Sequence, residues 1–135
     1  MAGCSPPSKT TDTYSNSLPD LYAREKFLKQ YFHLPGEVED LVFHVVYQDN
    51  SGGMIPGPSD WDIKILARIT TKDLSNWQGA LQPWSPGEKP DISWIEELSS
   101  DWVPDNARPN HYGTPSDYLV VYPESQLVAR RISTL

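Results

Sequence analysis

The sequence predicts an α+β domain: a four-stranded antiparallel sheet, one N-terminal helix packed on it, and short helices in a long central connection. Three observations carry that expectation. Leu21, Phe27, Leu28, Tyr31 and Phe32 recur at helical spacing and form an apolar stripe. Leu41–Tyr47 and Trp61–Thr70 are β-branched and aromatic runs separated by a stretch dense in Gly, Pro and Asn. Tyr118–Tyr122 and Gln126–Ser133 repeat that arrangement around Pro123-Glu124-Ser125. A striped helix needs a surface to cover, and the sheet supplies it.

In chain order, residues 5–17 are small and polar, too poor in apolar surface to offset the entropy of ordering. Residues 1–17 are therefore expected to be a disordered tether, and 18–135 a single domain. The helix is expected over 18–33, with Ser17 as its cap and Leu34-Pro35-Gly36 as its stop. The strand that follows alternates Leu41, Phe43, Val45 and Tyr47 against Val42, His44 and Val46. Apolar on both sides, it reads as a mid-sheet strand. Ile63, Ile65, Ala67 and Ile69 alternate with polar residues and read as one buried face. Short helices are expected after Asp73, with Leu74 and Trp77 on one face, and after Asp91, with Ile92, Ile95 and Leu98 inward. In the last strand Arg130 and Arg131 are adjacent, so they must point to opposite faces.

Composition excludes several classes. The chain has 135 residues, a formal net charge of −7, thirteen prolines and one cysteine, Cys4. An acidic chain lacks the clustered Lys/Arg that nucleic acid requires. A single cysteine forms no internal disulfide, and no cofactor or metal is expected. Of His33, His44 and His111, no two stand at the i,i+4 spacing of a zinc helix. No Gly-x-Ser-x-Gly elbow is present, so a small hydrolase built on His111 or His44 is the weakest reading.

Ala2-Gly3-Cys4 resembles the end of a bacterial lipobox, with Met1 standing where that family has Leu. The resemblance covers only the tail. It implies a lipid attached at Cys4, a Ser/Thr/Pro-rich tether, and a lipid-anchored envelope protein facing the periplasm. Ser5 is similar to the family's pattern for the outer membrane. Without the resemblance, Met1 is a native cytosolic start and Cys4 an exposed thiol.

Tryptophan is the most unusual feature: Trp61, Trp77, Trp84, Trp94 and Trp102 all lie within residues 61–102. Trp77 and Trp94, on short amphipathic stretches, are expected in the core. Trp84 and Trp102 lie in Pro-rich loops, where an indole either pins the loop or meets a partner. Met54 and Ile55 are an apolar pair inside a Gly/Pro loop, and His111 and Tyr112 sit in another. These six residues are the candidate contact surface. The leading expectation is a non-enzymatic envelope lipoprotein that binds a protein partner, as an inhibitor or immunity-type protein does. The alternative is a glycan- or peptidoglycan-binding module.

Overall fold

The structure is a computed structural model that describes residues 10–49, 59–85 and 87–134. It contains one six-stranded antiparallel sheet in the order β1-β2-β3-β6-β5-β4. The strands are β1 (Thr11–Tyr14), β2 (Asp40–Gln48), β3 (Asp60–Arg68), β4 (Asn110–Thr114), β5 (Asp117–Tyr122) and β6 (Leu127–Ser133). The helices are short: α1 (Leu21–Leu28), α2 (Leu74–Gln78) and α3 (Ser93–Leu98). The expected four-stranded sheet carrying one N-terminal helix is thus corrected to a sheet-dominated fold.

Four strands follow the hydrophobic alternation. Leu41, Phe43 and Val45 of β2 and Ile63, Ile65 and Ala67 of β3 are buried on one face, here the first. The two missed strands have no such alternation. β1 is Thr-Asp-Thr-Tyr, inside the stretch expected as tether, and it exists because β2 offers it a pairing edge from His44 to Tyr47. The buried Ser15 Oγ accepts from the Phe43 amide at 2.9 Å. Arg24 of α1 donates to the Ser15 and Leu41 carbonyls, each at 3.1 Å. These contacts hold the polar segment in place, so β2 lies one strand in from the edge while β3 and β6 are central.

β4 is the other missed strand. Its outer side is closed by the segment before Trp84: Gly113 N–H donates to Gln82 O at 2.7 Å, and Trp84 N–H to His111 O at 3.0 Å. Pro83, which has no N–H to offer, sits between them opposite Tyr112. The covered edge does not template further pairing.

α1 is shorter than the 18–33 stretch expected for it. Asp20, not Ser17, is its cap: Asp20 Oδ1 accepts from the Ala23 amide at 2.8 Å, while Ser17 Oγ donates to Tyr14 O. The helix ends at Leu28 because the aromatic residues beyond it pack elsewhere. Tyr31 meets Tyr47 at 5.4 Å between ring centroids, and Phe32 meets Trp77 at 6.0 Å. Turns from Phe27 to Phe32 make that divergence.

The first face is packed with Leu28 of α1, Trp77 of α2, Leu34 and Val38. A second core lies on the opposite face over β6 and β5. Trp94 and Ile95 of α3 pack there with Leu66, Tyr118, Val120, Tyr122, Leu127 and Ala129. This second core explains why β5 is buried along nearly its whole length.

Candidate functional site: the β1–β3 part of the second sheet face

The second core stops short of β1. Within β2 only Val42 joins it, and within β3 only Leu66 is a buried member. Beyond them, the strand registers align one row across the whole sheet: Tyr14, His44, Lys64, Arg131, Tyr118 and Gly113. The neighbouring row contains Asp12, Val46, Asp62 and Ser133. Alternation puts both rows on the second face, where the α3 core reaches β2 and β3 at Val42 and Leu66.

Polar groups in these rows meet diagonally. His44 Nε2 meets Asp12 Oδ1 at 2.6 Å, and Tyr14 lies flat on the imidazole, with centroids 3.8 Å apart and planes 5° from parallel. Arg131 grips Asp62 with two bonds, Nε to Oδ1 at 2.9 Å and Nη2 to Oδ2 at 3.0 Å. Lys64 stands 3.8 Å from the same carboxylate. The Asp62 bonds, aided by Tyr118, raise the Arg131 pKa above its already high value, so the guanidinium is a permanent cation. At the covered end Tyr118 Oη accepts from Trp94 Nε1 at 2.8 Å and donates to Asp91 O at 3.2 Å. The row therefore runs from a wet, aromatic end at Tyr14, 52% exposed, to a dry end at Tyr118, 2% exposed.

These rows offer pre-ordered Tyr, Arg and carboxylate groups, and at their covered end Tyr118 and Arg131 line an open cleft with Trp84 and Asp91. Side chains already locked by their neighbours lose little freedom when a partner binds. Among the described residues, no group of three or more His, Cys, Asp or Glu comes together as metal ligands. Asp62 is committed to Arg131.

The residues singled out from the sequence are spread over the molecule. Cys4, Met54 and Ile55 lie outside the described residues. Trp84 is half-buried, donates its indole N–H to Glu88 O at 2.9 Å, and packs edge-on against Tyr118. Trp102 is half-buried against the second core, with the Arg68 guanidinium 4.9 Å from its ring. Both indoles pin their loops. His111 and Tyr112 are consecutive in β4 and so face opposite sides: His111 pairs with Val120 on the second face, Tyr112 with Leu119 on the first. Burial, with Lys89 nearby, lowers the His111 pKa. Trp77 and Trp94 are core, as expected.

Tyr14 and Asp12 were passed over because they fall in the stretch expected as tether, and His44 entered only with the weakest, hydrolase reading. The usable signal was the polar alternation Asp12/Tyr14, legible only once β1 is known to pair with β2. Comparison of the chain with protein-family models, with curated proteins and with solved structures gives no match.

Proposed function

We propose that this chain is the non-enzymatic, protein-binding domain of a lipid-anchored envelope protein, acting by occlusion as inhibitors and immunity-type proteins do. Its contact surface is the β1–β3 part of the second face, centred on the exposed Tyr14 with the half-buried His44 and Lys64 beside it. The observation that supports the reading is the exposed Tyr14 stacked on His44 beside the matched pairs Asp12–His44 and Asp62–Arg131. Tyr and Arg anchors dominate protein interfaces, and ordered charges of both signs select a complementary partner. The imidazole engages Asp12 through Nε2 and Tyr14 through its face, so both neighbours fix its orientation.

Affinity capture from an envelope extract with the intact chain, run beside Tyr14→Ala and Lys64→Glu, tests the reading. The expected result is one stoichiometric protein, recovered by the unaltered chain and lost with either substitution. Repeated empty captures, or a partner retained by both variants, overturn it. The lipid anchor is tested separately: a palmitate analogue labels the protein in cells, and Cys4→Ser abolishes labelling.

A further inference from the structure

The first face carries a second feature, at the end of the β2–β3 pair farthest from α2. Five aromatic rings form a continuous ladder from the core to the rim. Phe43 and Phe27 are 5.8 Å apart and 3° from parallel, Phe27 meets Tyr31 at 5.4 Å, and Tyr31 meets Tyr47 at 5.4 Å. Tyr47 and Trp61, paired in register on β2 and β3, are 5.9 Å apart and 8° from parallel. Phe43 is fully buried, whereas Tyr31, Tyr47 and Trp61 are half-buried and line an open cleft of about 250 Å³. Ile63 and Ile132, opposite each other in the register, and Gln30 complete the lining.

Every one of these side chains is neutral, on a chain whose net charge is −7. Burial and the neighbouring Tyr47 also raise the Tyr31 pKa, which keeps that phenol un-ionised. The lining selects the ligand's chemistry by exclusion. A charged ligand entering here would surrender hydration with no counter-charge to replace it. A wholly apolar one would cover the Gln30 amide at the rim without satisfying it. A group with flat C–H faces and a polar, uncharged perimeter satisfies both conditions, because its faces stack on rings while its hydroxyls bond the rim.

We propose that this cleft is a subsite for a neutral sugar ring, stacked against Tyr47 and Trp61 and hydrogen-bonded at its perimeter by the Gln30 amide. It is independent of the protein-binding surface, which lies on the other face of the sheet. A single ring on an open platform gives weak binding, in the millimolar range.

The test is a titration of the isotope-labelled full chain with two neutral oligosaccharides, chitotriose and cellotriose, followed by NMR. The expected result is saturable shifts of the Trp61 indole N–H and the Gln30 side-chain amide with at least one of them. Trp61→Ala is expected to weaken binding at least about tenfold. Tyr47→Leu, which leaves Trp61 in place, is the second variant and is expected to do the same. Tyr14→Ala leaves the sugar shifts unchanged, so failure of the protein-binding reading and failure of this one are distinguishable. The inference is overturned if neither saccharide shifts these signals, if the shifts survive both cleft substitutions, or if protein concentration alone reproduces them. That last outcome assigns the cleft to contact between copies of the chain.

Discussion

Tyr14 and His44 lie ring on ring across the β1–β2 pair, 3.8 Å between centroids and 5° from parallel, with Asp12 at 2.6 Å on the imidazole Nε2. The edge strand is thereby fastened to its neighbour through side chains as well as through the backbone ladder. A strand of four polar and aromatic residues has little else on the second face to hold it.

The stack is expected to show as a coupling between the two residues. In a double-mutant cycle of Tyr14→Ala and His44→Ala, urea unfolding is expected to give a coupling of about 0.5–1.5 kcal/mol. Additive single effects would mean that the rings are neighbours without mutual stabilisation.

Asp62 holds Arg131 with two bonds and stands beside Lys64 as well. Asp62→Ala leaves both cations without this carboxylate and is expected to cost roughly 1.5–3 kcal/mol, measured by chemical denaturation. Asp62→Ala combined with Arg131→Met is expected to cost less than the single change, because Lys64 alone, and not the guanidinium as well, is then left without the carboxylate.

His111 gives a pH dependence with a defined sign. Burial, then Lys89, places its folded-state pKa below the ordinary 6.5. As pH falls from above 6.5, the unfolded chain takes up this proton before the folded chain does. Stability is therefore full above the ordinary value, declines as pH falls from there through the folded pKa, and levels off below it. His111→Gln is expected to flatten that part of the curve, and Lys89→Ala to narrow it, in thermal unfolding at stepped pH. An unchanged slope in His111→Gln would assign the acid sensitivity to other groups.

Gly113, in β4, has φ +99°, and a Cβ there would run into the backbone of Asp117 and Tyr118. Gly113→Ala is expected to destabilise on the order of 3 kcal/mol by denaturant unfolding. Gly79→Ala is the comparison. Its φ is +52° and ψ −126°, but its nearest neighbour is Asn76 O at 3.7 Å, so only the backbone conformation is strained, at about 1–3 kcal/mol.

Local pattern was enough to place β2, β3, β5 and β6, to choose the buried face of β3, and to put Trp77 and Trp94 in the core. It also set Arg130 and Arg131 on opposite faces. Arg130 reaches Asp117 at 2.7 Å and lies 5.6 Å from the Phe32 ring, while Arg131 reaches Asp62 on the other side. These features were legible because alternation records which side of a strand is dry, and a residue's immediate neighbours carry that record.

Tertiary structure alone decided the rest. β1 and β4 have no periodicity of their own and exist because neighbouring strands offer them an edge. α1 stops early because Tyr31 and Phe32 find ring partners across the fold. The candidate surface needs Asp12 beside His44, 32 residues away, and Asp62 beside Arg131, 69 residues away. Composition marks such groups only as polar or aromatic. Whether they become solvated tails or a matched row depends on strand register, which long-range pairing sets and a local pattern does not encode.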